Sequence, residues 1–162
     1  MIYCDEYYSP IGKMLIAANE NALVGTWFFS QKYFPDKNEY IVCDKHEIIL
    51  KTKDWLNRYF AGEKPCVDIP LFISGTVFQK KVWDILLKIP YGDTVTYSDI
   101  AKNFSDKMSA QAVGGAVSRN PFSIIVPCHR VIGKGGALTG YAGGKDKKLW
   151  LIRHENIISG CF

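Results

Sequence analysis

Residues 123–131 read Ser-Ile-Ile-Val-Pro-Cys-His-Arg-Val, and this stretch decides how the rest of the chain is interpreted. The largely β-branched run from Ser123 to Val126 predicts a short buried strand. Pro127 restricts its own φ and biases Val126 toward an extended conformation, so Cys128 is presented where the strand ends. A helical turn opening at Cys128 would offer free amide groups, which favour the thiolate over the thiol.

Cys128 is followed by His129, a pairing that suggests a nucleophile with a base beside it. A free thiol titrates near about 8.5, so attack on carbon at neutral pH benefits from a base. Adjacent side chains of an extended segment point to opposite sides, so His129 is expected to act through a bridging water, with Glu155 orienting its imidazole. The structural alternative is a buried core cysteine beside an unrelated histidine, the commoner case for an isolated Cys-His pair.

Composition narrows the class of protein. The chain has 162 residues, 48% of them hydrophobic, enough for one domain or for a small domain beside a larger one. The apolar runs are too short for a membrane span and the first residues lack a secretory pattern, so a cytoplasmic protein is expected. The net charge of +4 leans toward an anionic partner without establishing one. Reduced thiols are expected because the cysteines are scattered, odd in number and free of Cys-x-x-Cys pairs: Cys4, Cys43, Cys66, Cys128 and Cys161.

The N-terminal part, residues 1–75, predicts an α/β domain. Three apolar clusters between Tyr3 and Phe29, separated by turn-forming residues, indicate a small antiparallel sheet. A helix follows, with apolar residues at helical spacing from Ile48 to Phe60 and a glycine cap at Gly62.

Residues 76–162 predict a second, mostly α domain. One helix runs from Val77 to Leu87 and stops before Pro90, and Thr96 can cap a second. A third short helix covers about 109–118, and the last two resemble a helix-turn-helix, which we interpret as winged-helix-like. An ordinary helical hairpin is the alternative. Gly114 and Gly115 inside a helix cost roughly 1 kcal/mol each, so either a neighbouring helix or a nucleic-acid surface must approach that backbone closely.

The residues around Cys128 also resemble a known family. The run 124–133, Ile-Ile-Val-Pro-Cys-His-Arg-Val-Ile-Gly, looks like the signature of the O6-alkylguanine-DNA alkyltransferases, or methylated-DNA–protein-cysteine methyltransferases. The likeness covers roughly half of the chain. Its further motifs are Gly-Thr-Val-Phe-Gln at 75–79, Ile-Pro-Tyr-Gly at 89–92, Thr-Tyr at 96–97, Ala-Val-Gly at 112–114, Arg-Asn-Pro at 119–121, Thr-Gly-Tyr-Ala-Gly-Gly at 139–144 and Trp-Leu-Ile-Arg-His-Glu at 150–155.

This resemblance implies a DNA repair protein that moves the alkyl group of O6-alkylguanine irreversibly onto Cys128, once per molecule, after the base has flipped out of the duplex. It leaves O4-alkylthymine open as a second substrate. His129 would be the water-relayed base and Glu155 the group that orients it. Tyr97 would donate toward the guanine ring and help to rotate the phosphate.

Further roles follow from the same resemblance. Tyr141 would wall the base pocket, the Val131 backbone would read the guanine amino group, and the Ala142 amide would donate toward the oxygen that loses its alkyl group. Asn120 would tie the helix-turn-helix to the active-site strand. The alternative for Tyr97, Asn120 and Tyr141 is core packing or turn structure.

The resemblance also implies double-stranded DNA as the partner, with docking in the minor groove. The residues expected at the DNA are Thr96, Tyr97, Gln111, Ala112, Gly114, Gly115 and Arg119. Gln111 departs from the arginine usual in the family, so weaker duplex binding is expected. Arg119 is a poor substitute, because eight helical residues span about 12 Å.

We expect no cofactor and no metal, and we expect the protein to be a monomer. Cys43 and His46 have the spacing of half a zinc site, but no four-ligand set is evident. Two other functions compete with alkyl transfer: a module that binds alkylated bases without removing the alkyl group, and a cysteine hydrolase that uses Cys128 and His129. The cysteine argues against the first, and the resemblance supplies no acyl-substrate site for the second.

Overall fold

The computed structural model of the chain describes residues 1–159, with side chains through residue 156. The chain forms two compact units. The first comprises Met1–Ile73 together with Pro121–Ile125, and the second comprises Ser74–Asn120 and the chain from Val126 onward. The division into domains at residue 75 stays a prediction.

The first unit is built on a four-stranded sheet. Its strands are β1 (Tyr3–Ser9), β2 (Gly12–Ala18), β3 (Leu23–Phe28) and β4 (Ile41–Val42), in the order β3-β2-β1-β4. The predicted antiparallel pairing holds for β1, β2 and β3. However, β4 pairs with β1 in parallel, so the sheet is mixed rather than antiparallel. The reason is the connection after β3, which carries the chain past the sheet to the free edge of β1.

Helix α1 (Glu47–Phe60) confirms the predicted N-terminal helix. Its buried residues recur at helical spacing and face the sheet: Ile49, Thr52, Trp55, Leu56 and Tyr59. His46 caps its N-terminus, because Nδ1 accepts from the Ile48 amide at 3.2 Å. Gly62 takes a left-handed φ of 96° just beyond its end, as the cap prediction requires.

The second unit is mostly helical. Its helices are α2 (Val77–Leu87), α3 (Tyr97–Ala101), α4 (Ala110–Ser118) and α5 (Lys145–Ser159), and two short strands, β5 (Val95–Thr96) and β6 (Val131–Ile132), pair in parallel. Thr96 caps α3 as predicted, in a reciprocal pair of hydrogen bonds with Asp99. The Trp83 indole donates to the Ala116 carbonyl at 2.9 Å and so joins α2 to α4. Helices α3 and α4 pack on each other, whereas the wing stays a prediction.

The predicted strand at 123–126 is wrong. Phe122 makes an isolated bridge with Thr26 on the edge of β3, and residues 123–125 then form a turn in which Ile124 has a φ of 74°. The β-branched run signals burial correctly, since Ile124 and Ile125 are both 1% exposed. Burial arises here from a turn packed inside the first unit, and side-chain type does not distinguish such a turn from a strand.

Within residues 1–159, no helix is both long and apolar enough to cross a membrane.

Candidate active site

Cys128 lies directly after a tight change of chain direction. Pro127 sits at φ −78° and ψ 64°, and the Cys128 amide donates to the Val126 carbonyl at 2.7 Å, which together make an inverse γ-turn. Residues Cys128–Arg130 then form one 3-10 turn, as the predicted helical opening requires. Cys128 is therefore held by backbone geometry on both of its sides.

The Cys128 thiol is 5% exposed, in a polar environment. Burial raises the pKa of the thiol. Hydrogen bonds from the Asn120 side chain and from the amides of Cys128 and His129 oppose that shift, as does the charge of Lys148. The expected preference for thiolate at the helical turn is thus outweighed by burial, and a base is needed for attack at neutral pH.

His129 and Glu155 form a buried pair. His129 is fully buried, and its Nε2 lies 2.5 Å from Oε2 of Glu155. Its other ring nitrogen, Nδ1, is buried and has no hydrogen-bond partner within the described part of the chain. Because the carboxylate of Glu155 can only accept, Nε2 carries the proton and Nδ1 presents a lone pair.

Arg130 was missed as a site residue by the sequence reasoning. Its Nε donates to Oε1 of Glu155 at 2.7 Å, its Nη2 to Oε2 at 3.2 Å, and its Nη1 to the Ile89 carbonyl at 2.7 Å. The Gly92 amide also donates to Oε1 at 3.3 Å. Burial opposes ionisation of Glu155, but the charges and hydrogen bonds of His129 and Arg130 hold its pKa well below the usual range.

Lys148 is the second residue that sequence reasoning missed. Its side chain is fully buried, and Nζ donates to the Thr139 carbonyl at 2.8 Å and lies 3.4 Å from the Tyr97 hydroxyl. Burial lowers its pKa to about 8, against the charge of Cys128, which raises it. The signal was in the spacing: Lys148 stands seven residues before Glu155, on the same face of α5.

Tyr97 lies in the same cluster. Its hydroxyl donates to the Thr139 carbonyl at 2.5 Å. Burial raises its pKa to about 12, and the charge of Cys128 adds to the shift. The hydroxyl is therefore protonated at neutral pH and can donate. A Cβ on Gly140, whose φ is 76°, would come within 2.5 Å of this hydroxyl, so only glycine fits there.

The other predicted pocket residues occupy three segments of the second unit. Asn120 is buried, and its Nδ2 donates to the Val126 carbonyl at 2.9 Å. Val131 is buried in β6, where it pairs with Val95. Tyr141 and Ala142 are half-buried in the turn that precedes α5.

The predicted DNA-contacting residues cluster on α3 and α4. Exposed positions of α4 and its C-cap are Gln111, Ala112, Gly115 and Arg119, while Thr96 is half-buried at the start of α3. Gly114 faces the Tyr97 ring, which a Cβ at this position would meet at 3.7 Å, and Gly115 faces open space. The packing of α3 against α4 thus explains why a small residue stands at position 114. Nothing within the described part of the second unit explains the glycine at position 115.

Among residues 1–159, no group of three His, Cys, Asp or Glu side chains is placed to hold a metal ion. His46 of the suggested half-site uses Nδ1 to cap α1. Cys4, Cys43, Cys66 and Cys128 are free thiols, and Cys161 lies outside the described residues.

A buried cysteine that is followed by a buried histidine–carboxylate pair, with a buried lysine whose charge acts on the thiol, is typical of proteins that use a thiol as a nucleophile. Two family models identify the class more closely: the DNA-binding domain of 6-O-methylguanine DNA methyltransferase matches residues 77–157, and the ribonuclease-like domain of the same family matches residues 2–73. The chain therefore belongs to the 6-O-methylguanine DNA methyltransferase family, as the resemblance predicted.

The chain is similar to proteins of this family along nearly its whole length. A methylated-DNA–protein-cysteine methyltransferase of Methanosarcina acetivorans is 44% identical over 95% of this chain and 98% of its own length. The constitutive enzyme of that name from Bacillus subtilis is 41% identical over 97% of each chain. The crystal structure of Mycobacterium tuberculosis OGT in complex with DNA superposes with a TM-score of 0.89 at 38% identity, covering 96% of this chain and 94% of the other. The predicted enzyme class, a methylated-DNA–protein-cysteine methyltransferase, is confirmed.

Proposed function

We propose that this chain repairs O6-alkylguanine in DNA by accepting the alkyl group on the sulfur of Cys128. The observation that carries the proposal is the buried ring of His129, the residue after Cys128, which is bonded to Glu155 through Nε2 and has no hydrogen-bond partner at Nδ1 within the described part of the chain. The names of the relatives support the same activity.

The proposed reaction is a single displacement. The Cys128 sulfur attacks the alkyl carbon, the S–C bond forms, and the C–O6 bond breaks with its electron pair going to the base. The thiol proton passes through a water molecule to Nδ1 of His129. The leaving guanine anion takes up one proton from water, and His129 afterwards releases its proton to solvent, so the protons balance. The thioether has no route back to a thiol in this site, so each molecule acts once.

Tyr97 and Lys148 are proposed to stabilise the leaving base. The Tyr97 hydroxyl turns from the Thr139 carbonyl to the guanine ring as negative charge develops there. Lys148 still donates to that carbonyl at 2.8 Å, so the carbonyl keeps a partner when Tyr97 leaves it.

The target base has to leave the duplex, because a stacked base cannot meet a buried thiol. We propose that the exposed face of α4 docks in the minor groove, with Gln111 filling the space that the base vacates and the Tyr97 body helping to rotate the phosphate. Pocket contacts would come from Tyr141, from the Val131 backbone and from the Ala142 amide, while Asn120 holds the chain at the approach to Cys128.

Intact-mass measurement tests this function. Incubation with an oligonucleotide duplex containing O6-methylguanine should add one methyl group per protein, mapped to the Cys128 peptide, and should stop after one equivalent. The matched controls are Cys128→Ser, which should gain no methyl, and Cys66→Ser, which removes an exposed thiol and should react like the wild type. Tight binding without methylation would instead indicate a lesion-binding module, and repeated turnover would indicate a hydrolase.

A further inference from the structure

The Arg130 side chain bonds both oxygens of the Glu155 carboxylate, one of which, Oε2, also contacts His129. The Nε and Nη2 atoms bond the two carboxylate oxygens in a fork, at 2.7 and 3.2 Å. The remaining terminal nitrogen, Nη1, is fixed by the Ile89 carbonyl, and the guanidinium carbon lies 5.4 Å from the centre of the Tyr91 ring. Every nitrogen of the guanidinium is thus engaged, and its orientation is set.

A buried carboxylate alone would be a poor partner for a base. Since His129 is fully buried and 2.5 Å from Glu155, an unbalanced carboxylate would favour the doubly protonated imidazolium. An imidazolium has no lone pair and cannot accept the thiol proton. The site therefore requires a cation other than the imidazolium, one that balances the charge of Glu155 and leaves Nδ1 of His129 unprotonated.

We propose that Arg130 is a positioning residue that keeps His129 uncharged, with the lone pair of Nδ1 available to accept the thiol proton, by supplying the counter-charge of Glu155. The proposal rests on the proposed function, because it assigns how the base of that reaction is held ready. Arg130 touches neither thiol nor substrate in this scheme and acts through Glu155.

The pKa directions agree with this arrangement. Burial lowers the pKa of His129, Glu155 raises it, and the charges of Arg130 and Lys148 lower it again. The titratable and charged groups around the His129–Glu155 pair and Arg130 come from several elements. Cys128 and Arg130 lie on the 3-10 turn, Glu155 and Lys148 on α5, and Tyr91 on the turn after α2, whereas the charged residues of α2 are exposed: Lys80, Lys81 and Asp84.

The first test measures the protonation state of the His129 ring in the absence of DNA. The chain has three histidines, so nitrogen-15 chemical shifts can follow each one through a pH titration. In the wild type His129 should stay neutral and protonated at Nε2 across pH 6–8, a range chosen around the ordinary value of about 6.5. In Arg130→Met it should become an imidazolium within that range. A neutral ring in Arg130→Met would overturn the proposal.

A double variant separates charge balance from packing. In Arg130→Met/Glu155→Gln no carboxylate remains to be balanced, so His129 should be neutral again. If the role of Arg130 were purely structural, the protonation state of His129 in the double variant would be no closer to that of the wild type than it is in Arg130→Met. Arg130→Lys retains the positive charge and should therefore keep the His129 ring neutral. This variant tests the proposal if Arg130→Met does not fold. An imidazolium in Arg130→Lys would overturn the charge argument.

The second test follows methyl transfer against pH. Arg130→Met should lose about a hundredfold in rate at pH 7, the lower end of what general-base catalysis contributes, and should recover toward the wild-type rate as the pH rises. A loss that is constant at every pH would contradict the proposal. If the wild type transfers no methyl group, the proposed function fails, and the titration of His129 still tests the role of Arg130.

Discussion

Thr26 and Ser123 are joined by two hydrogen bonds, one between their backbones and one from the Thr26 side chain. The Ser123 amide donates to the Thr26 carbonyl at 3.0 Å, and the Thr26 hydroxyl donates to the Ser123 carbonyl at 2.9 Å. The Ser123 hydroxyl adds a 3.0 Å bond to Oε1 of the buried Gln31. These bonds fix the backbone on one side of Ile124, which has a left-handed φ and lies shortly before Cys128 in the chain.

Replacing Ile124 by glycine should cost less stability than replacing Ile125. Both side chains are 1% exposed, and each substitution loses a similar buried surface. Only Ile124 has a φ of 74°, where a β-branched residue is strained by about 1–3 kcal/mol and glycine is not. Denaturant unfolding of Ile124→Gly and Ile125→Gly should therefore differ by about that amount. Equal losses would show that the turn stores no strain.

Gly115→Ala should stabilise the free protein and weaken its binding to duplex DNA. An added methyl meets no atom within 4 Å, and alanine is favoured over glycine inside a helix by about 1 kcal/mol. The same methyl would stand between α4 and a docked groove. Thermal unfolding and duplex affinity check the two effects. Gly114→Ala, whose methyl faces Tyr97 at 3.7 Å, is the control and should affect affinity less.

Gln111→Arg should strengthen duplex binding and make it more sensitive to salt. Gln111 is exposed on α4, and an arginine there adds one cation near the phosphates. The slope of log affinity against log salt should steepen by roughly 0.9 for one further phosphate contact. Gln111→Met keeps the length of the side chain, adds no charge and should leave the slope unchanged. An unaltered affinity and repair rate in Gln111→Arg would refute the assignment of this position.

The buried Lys148 should make stability rise with pH in the alkaline range. Its pKa is about 8 in the folded chain against 10.5 as the ordinary value, so between these the unfolded chain binds the extra proton. The contribution of this group to the free energy of unfolding therefore increases from pH 8 to 10.5 and is constant below pH 8. Lys148→Met should remove that increase, by up to about 3 kcal/mol. Lys145→Met, at an exposed position of α5, should retain it.

Methylation of Cys128 should lower the melting temperature. The sulfur lies in a filled, buried site, and an added methyl either displaces its neighbours or costs the hydrogen bonds from Asn120 and the nearby amides. Calorimetry of the protein before and after one equivalent of O6-methylguanine DNA measures the difference. An unchanged midpoint would mean that the cavity has room for the methyl.

Helices were predictable from the sequence because their signals are local. The spacing of apolar residues in α1, the Thr96 cap of α3 and the glycine after α1 each need only a few neighbouring residues. The parallel strand β4 was not predictable, because two residues show no alternation and its partner β1 lies far away in sequence.

The site was predictable only in part. Cys128, His129 and Glu155 were recovered from a motif and a family resemblance, and the 2.5 Å contact between the last two joins residues 26 positions apart. Arg130 stands inside the motif, yet its role depends on a carboxylate brought from α5. Lys148 is one lysine among several on α5; its spacing from Glu155 places it on the same face, but its burial is seen only in the folded chain. Charge and burial of this kind are properties of the folded chain rather than of local sequence.

The membership of Pro121–Ile125 in the first unit bears on how the protein can be divided. A truncated gene product starting after residue 75 would contain Phe122, Ile124 and Ile125 but not the rest of the first unit to which they belong, including Thr26, the bridge partner of Phe122. Three large apolar side chains, each 1% exposed in the intact chain, would then meet water a few residues ahead of the nucleophile. Engineering of a minimal alkyl acceptor from this protein should therefore retain the first three strands.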